Sequence, residues 1–298
     1  MNLFSSFVIY DGNEWSWISA GVYPHGNGGR NENMKNKTRL DKLVVDLGIA
    51  RSLERARALI MEGRIFVRGQ RVDKAGSMVS PDEEILVKGA DIPYVSRGGV
   101  KLEKAMEEFK IRAEGKTAID VGASTGGFTD CLLKRGAERV YAVDVGYGQL
   151  DWSLRNDSRV INLEEKNIRY LKKEDIPKEA DLAVIDVSFI SLTKVIPKVM
   201  ELLKSSGVII ALIKPQFEVG KGEVGKGGIV KNSEKHRAVL LKIVEFSEKH
   251  NLSVKGITKS PIRGQKGNKE FFLYLSKSKH GLDPEVIFET IDKLILNN

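Results

Sequence analysis

A glycine-rich turn between a predicted strand and a predicted helix is the first place in the chain that indicates ligand chemistry. The strand covers Ala118–Val121. The turn then contains Gly122, Ser124, Gly126 and Gly127, and Phe128 opens the helix. Glycines let the backbone approach a ligand closely, and a helix N-terminus offers free N–H groups. The pattern predicts a small-molecule site at a strand end, although a glycine turn without a ligand is the plainer alternative.

Two acidic residues near this turn indicate which ligand it binds. Asp120 stands immediately before the turn, where it would repel the pyrophosphate of a dinucleotide but suits the positively charged methionine part of S-adenosylmethionine. Asp144 ends the next predicted strand, 24 residues further on, where an acid can accept hydrogen bonds from both ribose hydroxyls of an adenosine. Together the two acids predict an S-adenosylmethionine site.

Four charged residues at the ends of predicted elements form a second group. Asp186 ends the fourth strand, Lys214 ends the fifth, Glu270 begins the last, and Lys101 lies on the helix before the first. A hydroxyl group is a poor nucleophile at neutral pH, and a lysine can act as its base where burial or a second cation lowers the lysine pKa. The set suits transfer to a ribose hydroxyl, although surface ion pairs are the commoner fate of such residues.

Other chemistries lack their signature residues. Methylation at a ring carbon needs a cysteine in a Pro-Cys context, but Cys131 lies on what should be a packed helix face. Amino-group methylation typically uses an Asp/Asn-Pro-Pro-aromatic turn, and residues 185–189 contain no proline. Residues 220–226 match the phosphate-binding pattern G-x-x-x-x-G-K, but Gly227 stands where the magnesium-binding Ser or Thr belongs. One cysteine and four scattered histidines offer no metal-ligand cluster.

Strands and helices alternate from Lys101 onward. The pattern predicts strands at 118–121, 140–144, 160–163, 182–186, 208–213, 254–258 and 271–275, with helices between most of them, as at 194–203 and 234–250. Such alternation is typical of an α/β fold, here Rossmann-like with a seven-stranded, mostly parallel sheet and helices on both faces. Because ligands bind beyond the carboxyl ends of parallel strands, both groups of residues are expected at one sheet edge.

A small α+β unit is predicted ahead of this domain, over residues 38–87. Two amphipathic helices, the second capped by Ser52, precede short strands at 65–67 and 85–87. The unit is rich in arginine, whose planar guanidinium group binds phosphate oxygens, although a basic helix face is often only solvated surface. The arginines expected to contact RNA are Arg39, Arg51, Arg55, Arg57, Arg64 and Arg68, together with Arg97 beyond the unit.

Composition limits the class of protein and sets the first residues apart. The net charge of +8 favours an anionic partner such as nucleic acid, but it also serves solubility alone. The longest strongly apolar stretch, Val208–Ile213, is too short to span a bilayer, and the single cysteine gives no sign of an oxidising compartment. Residues 1–33 carry one basic and three acidic residues and two of the three tryptophans. We therefore expect translation to start at Met34.

Four long motifs resemble the TlyA family, whose members are bacterial ribosomal-RNA 2′-O-methyltransferases often labelled hemolysins. The motifs begin at Tyr94, Asp120, Asp186 and Lys214 and read YVSRGGVKL, DVGASTGGFT, DVSFISL and KPQFE. The resemblance implies an RNA-binding domain like that of small-subunit ribosomal protein S4, followed by an FtsJ-like methyltransferase domain. The implied boundaries are a non-native or disordered leader at 1–37, the RNA-binding domain at 38–90, a linker at 91–98 and the methyltransferase domain at 99–298.

The resemblance also implies roles for individual residues. A catalytic tetrad falls on Lys101, Asp186, Lys214 and Glu270, with Lys214 as the base that Asp186 orients. Arg68 departs from the family, in which asparagine often occupies this turn, and leaves the turn geometry open. The residues expected to bind S-adenosylmethionine are Asp120, Gly122, Ser124, Gly126, Gly127, Phe128, Asp144 and, near the adenine, Asn167.

The reaction that the resemblance implies is 2′-O-methylation of a cytidine ribose in ribosomal RNA of the large subunit, and in some members of the small subunit too. The expected protein is cytoplasmic and monomeric, uses no metal and does not bind a membrane. Two alternatives stay open: a membrane-active hemolysin, and a non-catalytic RNA-binding factor of ribosome assembly. The first would need an insertion segment, and a core-facing helix explains residues 285–296 better. The intact tetrad and turn argue against the second.

Overall fold

The computed structural model describes residues 5–10, 15–20, 37–50, 52–81, 83, 85–88, 93–220, 222–264 and 267–296. The chain divides into two compact units, Met1–Asp91 and Ile92–Asn298. Arg51 and the expected start at Met34 lie outside the described residues. The predicted leader contains two described strands, and its status as non-native sequence stays a prediction.

In its described part, the first unit has two helices and seven short strands. The helices are α1 (Leu40–Asp46) and α2 (Leu53–Met61). The strands are β1 (Ser5–Tyr10), β2 (Trp15–Ala20), β3 (Thr38–Arg39), β4 (Ile65–Val67), β5 (Gln70–Arg71), β6 (Met78–Val79) and β7 (Ile85–Lys88). One sheet has the order β2-β1-β7-β4-β5, and β3 pairs with β6.

Capping residues and apolar spacing account for the two helices. The Ser52 side chain accepts a hydrogen bond from the Arg55 N–H at the start of α2, as predicted, which satisfies one of the free N–H groups there. Gly48 follows α1 with a φ of +71°, a conformation that glycine adopts without strain. Leu40 and Val44, one turn apart, are buried with Leu59 and Ile60 of α2 in one core. The helices thus form because each buries one face against the other.

The turn between β4 and β5 consists of Arg68 and Gly69. Both residues have positive φ, +51° and +73°. Two positive φ angles define the tight hairpin turn that matches the twist of two antiparallel strands. Arginine adopts this conformation at a cost that asparagine or glycine largely avoids. The question that the sequence left open is answered, because the turn keeps its hairpin geometry despite the arginine.

The second unit contains the predicted seven-stranded sheet. Its order is β10-β9-β8-β11-β12-β14-β13, in which the first five strands are parallel and β14 is antiparallel to both neighbours. The strands are β8 (Thr117–Val121), β9 (Arg139–Val143), β10 (Val160–Leu163), β11 (Ala180–Ile185), β12 (Leu203–Ile213), β13 (Ser253–Lys259) and β14 (Phe271–Ser276). The chain runs from β8 outward to β10 and then returns to place β11 beside β8. The crevice at this reversal is where open α/β sheets bind their ligands.

Helices cover both faces of this sheet. They are α3 (Arg97–Glu108), α4 (Gly127–Lys134), α5 (Trp152–Arg155), α6 (Ile196–Leu202), α7 (Pro215–Glu218), α8 (Ser233–Lys249) and α9 (Pro284–Leu296), with short 3-10 turns at Ile168–Tyr170, Lys173–Asp175, Leu192–Lys194 and Lys226–Gly228. α3 begins inside the predicted linker, and Tyr94 before it is already buried in the core of the unit.

Alternation along the strands divides the apolar side chains between two cores. Ala118 of β8 packs with α3 and α4, whereas its neighbour Ile119 faces the opposite core with α6, α8 and α9. The terminal helix α9 buries Ile287, Ile291 and Ile295, spaced one turn apart, in that second core. The core-facing interpretation of residues 285–296 is therefore correct for these three residues. Within the described ranges, no helix is long and apolar enough to cross a membrane.

Candidate active site

The glycine turn lies at the carboxyl end of β8, in the crevice between β8 and β11. Its backbone needs glycine at Gly122, which has a φ of +87°. A Cβ atom there would lie 2.6 Å from the carbonyl oxygen of Asp186, on the neighbouring strand end. The Gly122 N–H donates to the Val143 carbonyl of β9. Close packing of three strand ends thus fixes the turn, and glycine is the residue that permits it.

Asp120 is a fully buried carboxylate with one unsatisfied oxygen. The Thr129 hydroxyl donates a hydrogen bond to its Oδ2 at 2.7 Å, whereas its Oδ1 has no hydrogen-bond partner in the described part of the chain. Burial raises the pKa of this carboxyl to about 7; the Thr129 hydrogen bond opposes the shift, and Asp186 and Asp144 add to it. A buried acceptor without a donor is costly, so this oxygen is suited to a cationic ligand such as the methionine part of S-adenosylmethionine.

Asp144 is held rigidly on the other side of the turn. Its Oδ2 accepts the Ser124 N–H at 2.8 Å, and its Oδ1 accepts the Gly146 N–H at 2.7 Å. Each carboxylate oxygen can accept a further hydrogen bond, so Asp144 stays able to receive ribose hydroxyls. The Lys166 N–H donates to the Asp144 carbonyl, which places the segment before Asn167 beside this acid.

Two of the residues expected to bind the cofactor are engaged within the protein. The Phe128 ring is buried, with 3 % exposure, and packs on Phe272 in the core. Only the backbone of Phe128 is therefore expected to contact a ligand. The Asn167 side chain accepts hydrogen bonds from the backbone N–H and the Nε of Arg169. Asn167 thereby caps the 3-10 turn at Ile168–Tyr170.

The four residues of the expected tetrad form two ion pairs. Lys101 Nζ lies 2.7 Å from Glu270 Oε2, and both side chains are buried. Lys214 Nζ lies 2.6 Å from Asp186 Oδ1 and donates a hydrogen bond to the Ser188 hydroxyl at 3.0 Å. With side-chain exposures of 12 % for Lys214 and 22 % for Asp186, the second pair is still accessible. This pair is therefore partly buried but keeps solvent-accessible surface, unlike an ordinary surface ion pair.

Strand register brings both pairs to the same sheet edge. Ile213 of β12 stands opposite Phe271 of β14, so Lys214 and Glu270 extend from neighbouring strands at adjacent positions. The Asp186 N–H donates to the Val121 carbonyl, directly before the glycine turn. The candidate base, its carboxylate and the turn thus share one edge of the sheet, as the sequence predicted.

Three residues that the sequence analysis did not single out complete this edge. Thr129 holds Asp120, Ser188 accepts from Lys214, and Glu218 lies buried four residues after Lys214. Ser188 and Glu218 belong to the DVSFISL and KPQFE motifs, which was the available signal. Thr129 ends the DVGASTGGFT motif, but its hydrogen bond to Asp120 follows only once α4 is placed against β8.

Cys131 occupies the packed helix face expected for it. It is fully buried, and burial raises the pKa of its thiol to about 12, so it is a structural residue. Among the described residues, no group of three or more histidine, cysteine or acidic side chains could hold a metal ion.

Most arginines expected to bind RNA are partly neutralised by acids of their own unit. Arg39 and Arg57 lie 2.7 Å and 3.1 Å from Asp41, which is fully buried. The Arg39 guanidinium holds the pKa of Asp41 well below its usual range. The other pairs are Arg55 and Arg64 with Glu62, both at 3.8 Å, and Arg68 with Glu83 at 3.1 Å. In the second unit, exposed Arg97 donates to the Arg263 carbonyl.

The strand order, the acid-flanked glycine turn and the two lysine–carboxylate pairs define a Rossmann-like methyltransferase. A family model described as FtsJ-like methyltransferase matches residues 94–277, and one described as S4 domain matches residues 38–85. The chain belongs to the TlyA family of FtsJ-like methyltransferases.

Three relatives illustrate this membership. YqxC of Bacillus subtilis (strain 168), provisionally named an rRNA methyltransferase, is 47% identical over 240 residues, or 80% of this chain and 85% of the relative. The 16S/23S rRNA (cytidine-2′-O)-methyltransferase TlyA of Mycobacterium tuberculosis is 43% identical over 81% of this chain and 91% of its own. A solved structure from Streptococcus thermophilus, provisionally called a hemolysin, superposes with a TM-score of 0.68 at 42% identity, covering 87% of this chain and 96% of that one.

Proposed function

We propose that this protein transfers a methyl group from S-adenosylmethionine to the 2′-hydroxyl of a cytidine in ribosomal RNA. The single observation that carries the proposal is the accessible Lys214–Asp186 pair, which stands beside the glycine turn and its unsatisfied Asp120 carboxylate. The Mycobacterium tuberculosis relative, which bears the name of this activity, supports the choice of cytidine as the methylated nucleoside and of ribosomal RNA as the substrate.

The residues of the site divide the work of such a transfer. S-adenosylmethionine, when bound, supplies an electrophilic methyl group. Asp120 would hold the positive methionine part, and Asp144 would receive the ribose hydroxyls of the cofactor. A Lys214 amine that has given its proton to solvent would accept the proton of the 2′-hydroxyl at Nζ. Asp186 and Ser188 would hold that amine in line with the reacting oxygen, since positioning supplies much of the rate of a simple displacement.

The second pair has a supporting part in this proposal. Lys101 and Glu270 are buried together, so their charges compensate each other inside the protein. Removing one partner would leave an unpaired buried charge at the same sheet edge. We expect the pair to maintain the shape and charge of the site rather than to take the hydroxyl proton.

The first unit is proposed to bind the RNA. Arg39 and Arg57 keep side-chain exposures of 46 % and 48 % while they pair with Asp41, so their outer N–H groups can still reach a phosphate. An arginine held by a buried carboxylate is also more rigid than a free one, which lowers the entropy lost on binding. We propose further that the protein acts in the cytoplasm as a monomer without a metal.

Incorporation of labelled methyl groups into purified ribosomal subunits tests the proposal. The wild-type chain should label ribose 2′-oxygens of cytidine, and Lys214→Ala should reduce the rate by at least about 10²-fold, the usual range for loss of a general base. Unchanged incorporation in Lys214→Ala would refute the assignment of the base.

The chain supplies a matched control for this experiment. Lys204 lies at the other end of β12 and pairs with Asp181 of β11 at the same 2.6 Å. Lys204→Ala thus removes a lysine–aspartate pair from the same two strands at the opposite sheet edge, and it should retain wild-type incorporation. Binding of ribosomal subunits without any methyl incorporation by the wild type would instead favour a non-catalytic assembly factor. Lysis of red cells that survives Lys214→Ala would favour a hemolysin.

A further inference from the structure

Glu218 is a buried carboxylate that the proposed reaction does not use. It is 4 % exposed and ends α7, the single helical turn that follows Lys214. Its Oε2 accepts the Ser191 hydroxyl at 2.6 Å, and its Oε1 accepts the Leu192 N–H at 2.7 Å. Burial raises the pKa of Glu218, while these hydrogen bonds oppose the rise. Burying a carboxylate costs free energy unless hydrogen bonds compensate it. The presence of Glu218 at this position therefore calls for a structural or functional reason.

Those bonds join the two segments that carry the candidate base and its carboxylate. The segment after β11 contains Asp186 and Ser188, and the segment after β12 contains Lys214. At one end the segments meet through Lys214, which contacts both Asp186 and Ser188. At the other end they meet through Glu218.

An aromatic pair lies between these two connections. The rings of Phe189 and Phe217 are 5.0 Å apart, one from each segment. Phe189 is 90 % exposed and has a φ of +62°, so its segment has a strained backbone and little apolar burial at this point. Val187 and Ile190 on either side of Phe189 are partly buried against the core, and the polar contacts of Lys214 and Glu218 add to this packing at the two ends of the segment.

Glu218 is itself held from a third direction. Its carbonyl oxygen accepts a hydrogen bond from Lys242 Nζ of α8 at 2.7 Å, and the same Nζ lies 3.9 Å from its carboxylate Oε2. Its partner Ser191 also accepts the Thr193 N–H and so caps the 3-10 turn at Leu192–Lys194. The carboxylate thus ties α7 to a residue anchored in the following turn. α7 has only four residues, too few for its own helical hydrogen bonds to set its orientation, so this polar connection adds to the packing of its buried Pro215.

We propose that Glu218 is a positioning residue, which fixes the segment carrying Asp186 and Ser188 against the segment carrying Lys214 and so sets the geometry of the base. The inference rests on the proposed function. Glu218 would act through Lys214 and would touch neither the RNA nor the cofactor. A displacement of about 1 Å at a reacting group can lower a rate about 10²-fold. The hydrogen bonds of Glu218 should therefore have a large effect on turnover.

Three substitutions distinguish loss of the hydrogen-bonded connection from loss of the Glu218 charge and from a general loss of stability. Glu218→Gln keeps both connections, because its amide oxygen can accept the Leu192 N–H while its amide nitrogen donates to the Ser191 oxygen. Glu218→Ala removes both. Ser191→Ala removes one and leaves the buried carboxylate with a single donor. Asp181→Asn is the control, because Asp181 of β11 contacts both neighbouring strands at the opposite edge, β8 through Thr117 and β12 through Lys204.

The experiment measures kcat and KM for methyl transfer to ribosomal subunits, together with the Kd of S-adenosylmethionine and the melting temperature of each variant. In Glu218→Ala we expect kcat to fall about 10-fold to 100-fold, with KM for the subunits and the cofactor Kd changed less than about threefold. Ser191→Ala should show a smaller fall of the same kind. Glu218→Gln and Asp181→Asn should stay within about threefold of the wild-type kcat.

Three outcomes would overturn the inference. The first is a folded Glu218→Ala protein with wild-type kcat. The second is a Glu218→Gln protein as impaired as Glu218→Ala, which would mean that charge and not connection matters. The third, a loss confined to the melting temperature, would mean a purely structural role. If Glu218→Ala does not fold, Ser191→Ala against Glu218→Gln decides the same question. A wild-type chain that methylates no RNA would instead refute the proposed function, and the two failures are therefore distinguishable.

Discussion

Replacing Asp120 with asparagine should change how the stability of the protein depends on pH. Burial raises the pKa of this carboxyl to about 7, against an ordinary value of 3.8. A folded state that holds a proton more tightly than the unfolded chain becomes less stable as pH rises between the two values. The slope is about 1.4 kcal/mol per pH unit and levels off near the folded-state pKa, so the free energy of unfolding should fall by about 2 kcal/mol between about pH 5 and pH 7.

Urea unfolding followed by circular dichroism measures this slope. Asparagine does not ionise, so Asp120→Asn should lack the fall that the wild type shows. Asp130→Asn is a suitable control. Asp130 of α4 is also a buried carboxylate, but it is paired with Lys134 at 2.8 Å. That variant should keep the wild-type fall. A wild-type free energy of unfolding that is constant from about pH 5 to pH 7, or an equal fall in Asp120→Asn, would refute the burial argument.

The same carboxyl couples cofactor binding to pH. A cation beside Asp120 requires the ionised carboxylate, so wild-type affinity for S-adenosylmethionine should rise up to about tenfold per pH unit below about pH 7 and then level off. Titration calorimetry in buffers of different ionisation enthalpy should detect about one proton released on binding near pH 6. Asp120→Asn should bind with lower affinity and release no proton. Proton release that persists in this variant would place the cation elsewhere.

Two further substitutions test buried polar contacts, one in each unit of the chain. Asp41→Asn should lower the free energy of unfolding of the first unit by about 1–3 kcal/mol at neutral pH, because the buried carboxylate loses its charge-assisted bonds. Because its arginine partners hold the pKa of Asp41 below the ordinary value, this difference should decrease progressively as pH falls below about 4, as amide hydrogen exchange in α1 and α2 can show. Asn268→Ala should cost about 2–4 kcal/mol, since buried Asn268 bonds both the Gly228 carbonyl and the Val230 N–H; an unchanged melting temperature would contradict this.

Periodicity located the seven strands but not all of their ends. β10 has the predicted bounds, whereas β12 begins at Leu203, five residues before the predicted strand. An apolar run reports which residues are buried, and residues 204–206 are polar. The backbone still continues as a strand there, since Leu203 pairs with Ala180 of β11 through hydrogen bonds that do not depend on side-chain polarity.

The sequence pattern by itself determined the fold class and the sheet edge at which the chemistry lies, because strand ends and glycine turns are local features, and the resemblance of four motifs indicated the family. The long-range partners of the charged residues were decided by tertiary structure. Lys101 meets Glu270 across 169 positions and Arg57 meets Asp41 across 16, because register and helix packing bring distant residues within ion-pair distance. The same holds for Glu218, which only the folded chain connects to the segment of Asp186.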